Sequence, residues 1–91
     1  MAQKIITEPI KTDETDEILK AEVEKHELTD FMKGFISRMI VFEKEAQMMI
    51  EYLRVNPTAT EEEVEKHLLS LVENTRKQLG IPMYVRRDLI G

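Results

Sequence analysis

The sequence has 91 residues, of which 42% are hydrophobic, 34% are charged and none is cysteine. A chain of this length forms one domain, and the lack of cysteine excludes disulfides, thiolate chemistry and cysteine-ligated zinc. The net charge of −5 disfavours general nucleic-acid binding. No apolar run approaches the ~20 residues of a membrane span, so we expect a cytoplasmic protein without membrane contact.

The first predicted element is an extended N-terminal arm over residues 1–12, followed by a short acidic helix. Thr12 or Asp13 can cap this helix, because a side-chain oxygen at that position accepts a hydrogen bond from a backbone N–H of the first turn. Acidic residues crowd the same turn, which suits the positive end of the helix dipole. The apolar residues of this helix are few, so we expect it to pack loosely.

The central segment, residues 30–55, is predicted as one long helix capped by Thr29 or Asp30. Apolar residues recur along it at alternating spacings of four and three, which is typical of helices that associate side by side. The eight residues of this pattern are Leu28, Met32, Phe35, Met39, Phe42, Ala46, Met49 and Leu53. Further apolar positions widen the stripe beyond what one neighbouring helix can cover. We therefore predict that the eight residues form a homodimer interface, although the sequence leaves open whether residues 13–55 form one helix or two.

The last predicted helix covers residues 60–79. Pro57 ends the central helix, Thr60 and Glu63 have the spacing of a capping box, and Gly80 suits the position after the final turn. This helix and the central one are predicted to form an antiparallel hairpin. The expected fold is all-α: two long helices and a shorter N-terminal helix form a domain over residues 13–80, and dimerisation completes a helical bundle.

Gly34 is the one glycine inside a predicted helix, where glycine costs about 1 kcal/mol relative to alanine. We interpret it as allowing another helix to approach closely. A bend between the first two helices is the alternative.

The two histidines, His26 and His67, each end a copy of the sequence EVEKH. The similarity around the two copies holds for about eight residues, whereas a structural repeat extends over 20 or more, so duplication is not indicated. Each histidine follows a glutamate by one helical turn, but the ligand spacings of di-iron bundles and of zinc proteases are absent. We predict two half-exposed helix residues, no metal and no cofactor.

The C-terminal tail, residues 81–91, contains a basic segment and can form a short strand or a short helix. The residues at and after the end of the last predicted helix include Leu79, Gly80, Ile81, Val85, Arg86, Arg87, Asp88 and Leu89. This set resembles the recognition region of DeoR-type helix-turn-helix repressors. The turn is one residue shorter than in that family, and Pro82 stands where a capping serine is usual. The resemblance implies that Arg86 and Arg87 contact phosphates or base edges. The other interpretation is a basic surface tail.

The sequence shows no glycine-rich phosphate loop and no pairing of a nucleophile with a base, and its carboxylates fall in charge runs at helix starts. We therefore predict a non-catalytic protein that acts through protein–protein interaction, as an adaptor or regulator. Its expected partners are a second copy of itself and another protein. The alternative function is DNA-binding regulation through Arg86 and Arg87.

Overall fold

A computed structural model describes residues 9–80 of the chain, and this part is helical. Its four helices are α1 (Asp13–Glu24), α2 (Asp30–Met39), α3 (Glu43–Val55) and α4 (Glu61–Leu79). The all-α prediction is confirmed, but the predicted count of three helices is wrong. Within residues 9–80, none of the helices combines the length and the apolar character that crossing a membrane requires. The C-terminal tail and most of the N-terminal arm lie outside the described residues.

Three threonines start three of the helices, as predicted. The hydroxyl oxygens of Thr12, Thr29 and Thr60 each accept a hydrogen bond from the backbone N–H three residues later, at 3.1, 3.1 and 3.2 Å. Glu63 completes the capping box by accepting from the Thr60 backbone N–H. The predicted end of α4 is confirmed too, because Gly80 adopts a left-handed conformation with φ of 81°.

The predicted long helix over residues 30–55 is broken between Met39 and Glu43, where the backbone becomes extended. The Glu45 side chain turns back, and its Oε1 accepts hydrogen bonds from the backbone N–H groups of Val41 and Phe42. Residues 9–11 run antiparallel to residues 41–43 and form two backbone hydrogen bonds with them. The break is therefore stabilised both locally and by a distant segment, and it replaces the predicted hairpin of two long helices.

The four helices pack with α1 beside α3 and with α4 on the other side of α3. α1 runs parallel to α3, because Thr15 contacts Glu43 near the start of both helices and Glu22 contacts Arg54 near their ends. α4 runs antiparallel to α3, and α2 packs against both α1 and α4. The buried apolar cluster is Leu19, Val23, Met32, Ile36, Ile40, Ala46, Met49, Ile50, Leu53, Val64, Leu68, Leu71 and Val72. α1 contributes two of these residues, so the expectation of loose packing is wrong.

The eight residues predicted as a dimer interface pack inside one chain. Met32, Phe42, Ala46, Met49 and Leu53 are buried, and the other three pack against the core while partly exposed. The stripe is wide because α1, α4 and the Ile40–Phe42 connection cover it within the same chain. Two chains could meet through these residues only if the core opened. The homodimer stays a prediction, and it requires a different surface.

Gly34 lies on α2, and within residues 9–80 no other helix comes close to it. A β-carbon built on this glycine meets only the guanidinium end of Arg38, at 3.0 Å. The prediction that Gly34 allows close helix approach is therefore wrong. A flexible side-chain end can move aside, so the described part of the chain contains no steric requirement for glycine here.

Candidate functional site

Glu45 and Arg76 form a buried ion pair that holds the helix break against α4. The Glu45 side chain is fully buried, and its Oε2 accepts a hydrogen bond from Nε of Arg76 at 3.2 Å. Arg76 also donates from Nη2 to the backbone carbonyl of Met39 at 2.6 Å, and its guanidinium lies 6.0 Å from the centre of the Phe42 ring. Both charged groups are thus used to position the break between α2 and α3.

Glu22 joins the end of α1 to the end of α3. Its carboxylate accepts a hydrogen bond from Nε of Arg54 at 2.8 Å and contacts Nζ of Lys25 at 3.4 Å. The Arg54 hydrogen bond, with a smaller contribution from Lys25, holds the pKa of Glu22 below its usual value against the opposing effect of burial. This arrangement keeps the carboxylate ionised and makes it a structural group.

His26 ties α1 to the turn between α3 and α4. Its Nδ1 lies 3.2 Å from the Glu22 carbonyl oxygen, and its Nε2 lies 3.1 Å from the Asn56 carbonyl oxygen. A neutral imidazole donates from one nitrogen and a protonated one from both. The prediction of a half-exposed helix residue is wrong for His26, because the side chain is buried and lies beyond the last residue of α1.

His67 lies within α4 and stacks on Tyr52 of α3, with ring centres 3.7 Å apart and an angle of 9° between the planes. It is partly buried, as predicted, and desolvation lowers its pKa. The two EVEKH copies therefore have different surroundings, one at the end of α1 and one inside α4. Among residues 9–80, no group of three or more His, Asp or Glu side chains is arranged to hold a metal ion.

The candidate functional surface is the outer face of α3, which we define as Lys44, Met48, Glu51 and Val55 together with Val41, which lies in the extended connection two residues before the helix. Its apolar members are exposed: 36% of Val41, 43% of Met48 and 68% of Val55. Lys44 and Glu51 are exposed as well. Apolar side chains at seven-residue spacing on a solvent-facing helix are typical of a contact surface.

A groove of about 530 Å³ borders the outer face of α3 on the side of α1. Ile18 of α1 and Ile50 and Val55 of α3 provide its apolar lining. Thr15, Gln47, Glu51 and Arg54 complete it. The groove is open and mainly apolar, so it suits another apolar side chain better than a polar substrate.

Other exposed apolar side chains are more scattered. Phe31 is stacked on Phe35 of the same helix, with ring centres 5.9 Å apart, and Leu69 stands on α4. Single exposed apolar residues are ordinary on protein surfaces. The predicted DNA-contacting residues, Arg86 and Arg87, lie outside the described residues.

Sequence reasoning missed the outer face of α3, although its signal was present. Val41, Met48 and Val55 are spaced by seven residues, as are the members of the stripe that was chosen as the interface. The stripe predicted as the interface is longer and contains larger apolar residues, and the structure places most of it in the core. Comparison of the chain with models of known families, with curated proteins and with solved structures gave no match.

Proposed function

We propose that the chain is a non-catalytic interaction protein, an adaptor or regulator that assembles with a second copy of itself through the outer face of α3. The observation that carries this proposal is the exposure of Met48 and Val55 on one side of α3 and of Val41 in the connection before it. Burying such side chains against another protein is favourable by about 25 cal/mol for each Å² of apolar area. The adjacent apolar groove extends the surface available for contact.

The use of the buried charged groups supports a role without catalysis. Glu45, Glu22 and His26 each bond to backbone groups or to a charged partner on another element, and each thereby fixes one connection between helices. A catalytic site instead needs polar groups that converge on a pocket where substrate can bind. The most buried residue that lines the α1–α3 groove is instead the apolar Ile50.

Light scattering over a series of protein concentrations tests this function. We expect the mass to rise above that of one chain, and we expect the variant Met48→Glu/Val55→Glu to stay monomeric with an unchanged helical circular dichroism spectrum. Leu69→Glu is the control, because it places a glutamate on an exposed apolar position of α4, and it should assemble like the parent chain. A parent chain that stays monomeric throughout contradicts the proposal.

The second proposal is DNA binding through Arg86 and Arg87. Its support is the basic segment of the C-terminal tail in the sequence. Arg76, in the last turn of α4, is already bound to Glu45 and adds nothing to it. A salt-dependent shift of duplex DNA that disappears in Arg86→Ala/Arg87→Ala supports this function. Equal mobility with and without protein contradicts it.

A further inference from the structure

The outer face of α3 carries a regular stripe. Lys44, Met48, Glu51 and Val55 follow one another at spacings of four, three and four residues. At 3.6 residues per turn, these positions fall within an arc of about 60° and extend over about 16 Å of the helix. This is the pattern by which one helix packs along another. Val41 lies two residues before the helix, in the extended connection, and is exposed at this end of the stripe.

The two charged members of the stripe have opposite signs. Among residues 9–80, neither Lys44 nor Glu51 forms an ion pair, whereas six other pairs are formed. Lys44 and Glu51 are seven residues apart, which is about 10 Å along the helix and too far for them to pair with each other. Both charges are therefore available to a second molecule.

We infer that two copies of the chain pack α3 against α3 in antiparallel orientation, with the two-fold axis at Met48. This inference rests on the proposed function and specifies its contact. In an antiparallel pair centred on Met48, Val41 lies at the level of Val55 of the second copy. Lys44 lies at the level of residue 52 of the second copy, so it is about 1.5 Å along the axis from the neighbouring Glu51 and within reach of it. The symmetry repeats both contacts on the other side of the axis. The stripe is thus complementary to itself in apolar contacts and in charge.

The charges distinguish this orientation from a parallel one. A parallel two-fold pair brings Lys44 next to Lys44 and Glu51 next to Glu51, and like charges in contact are unfavourable. The antiparallel pair replaces both repulsions with two attractive contacts.

The groove beside α1 fits the same arrangement. Val55 lines one end of the groove, and the antiparallel pair brings Val41 of the second copy to that end. Ile10 comes with it, because Ile10 pairs with Phe42 through the backbone and is 59% exposed. The apolar lining of Ile18, Ile50 and Val55 gives these side chains a surface on which to pack.

The expected assembly is weak and reversible. Each copy contributes one helix of 13 residues and the edge of a groove, which is less than the surface of a standard stable complex. A dissociation constant in the micromolar range or weaker follows, so sedimentation or light scattering must extend from about 10 µM to about 1 mM.

Charge exchange tests the register. Lys44→Glu and Glu51→Lys each create two like-charge contacts, so each should weaken the dimer by about tenfold or more. The double variant Lys44→Glu/Glu51→Lys restores both attractive pairs and should return to within about threefold of the parent constant. Lys66→Glu and Glu65→Lys on α4 make the same charge changes away from the stripe and should leave the constant unchanged. Circular dichroism confirms that every variant is folded.

A cysteine at the axis tests the geometry independently. The parent chain has no cysteine, so Met48→Cys creates a single thiol that should meet its own copy and form a disulfide on mild oxidation. Leu69→Cys, equally exposed on α4, should not. If the parent chain dimerises but the dimer is insensitive to the charge changes and is not cross-linked through residue 48, this inference is wrong and the proposed homo-oligomer is not contradicted. A parent chain that is monomeric at every concentration overturns both.

Discussion

Replacing Arg76 by methionine should destabilise the fold far more than an ordinary surface change. The substitution keeps most of the side-chain length but removes the positive charge from the fully buried Glu45 carboxylate and the hydrogen bond to the Met39 carbonyl. Breaking a buried ion pair from one side costs about 3–5 kcal/mol. Since 19% of the Arg76 side chain is exposed, we expect the lower end, about 3 kcal/mol. Domains of this size have a total stability of roughly 5–14 kcal/mol.

Arg54→Met is the matched control, because Arg54 also pairs with a buried glutamate through Nε, at 2.8 Å. Its side chain is 58% exposed and Glu22 retains Lys25 as a second partner, so the loss should stay below about 1 kcal/mol. Urea denaturation followed by circular dichroism at neutral pH measures both. Adding Glu45→Gln to Arg76→Met removes the unpaired charge and should recover part of the loss. Equal losses in the two arginine variants, or no recovery in the double variant, would refute this account of the pair.

Three further expectations concern the glycines, His26 and the response to pH. Gly34→Ala should raise the free energy of unfolding by up to about 1 kcal/mol, because the position is helical and only the end of a flexible side chain is near. Gly80→Ala should lower the free energy of unfolding by about 1 kcal/mol, because φ of Gly80 is 81°. The urea midpoints of the two variants should therefore shift in opposite directions. His26→Ala should cost about 1–3 kcal/mol, since at least one of the two carbonyl oxygens beside the buried imidazole loses its donor, and midpoints equal to the parent's would argue against this tie. Burial lowers the pKa of His67, so the unfolded chain takes up the proton first and stability should fall as the pH drops below about 6.5. In His67→Gln this part of the pH dependence should disappear, while a second loss below about pH 5 remains because the folded pKa of Glu22 is also lowered.

The helix ends could be predicted because their signals are local. A threonine cap is recognised by a backbone N–H three residues away, and Gly80 is required by the conformation of a single residue. All the information needed for such an end lies within one turn of the chain. The starts of α1, α2 and α4 and the end of α4 therefore followed from the sequence.

The break between α2 and α3 could not be predicted in the same way. The apolar periodicity runs through residues 39–43 without interruption, and the residues that stabilise the extended connection come from elsewhere. Arg76 is 31 residues from Glu45, and Pro9 and Lys11 bond to the connection from the N-terminal arm. A periodic stripe identifies residues that will be covered, but it does not say whether the cover comes from the same chain or from another.

The residues predicted as the dimer interface show this ambiguity. Met32, Met49 and Leu53 belong to the strongest periodic pattern in the sequence, and such a pattern fits a core and an interface equally well. The weaker stripe of Val41, Met48 and Val55 is left exposed once the core is complete. Only the packed structure separates the two stripes.

Phe42 contacts segments near both ends of the described residues. Ile10 pairs with it from the N-terminal side, and the Arg76 guanidinium lies over its ring one turn before α4 ends. The polypeptide thus enters and leaves the described bundle at the same pole, while the turn at Pro57 and Thr58 lies at the opposite pole. A circular permutant can therefore be made by joining residues 9 and 80 with a short linker and placing the new termini at the turn of Pro57 and Thr58. It should keep all four helices and the outer face of α3 in place.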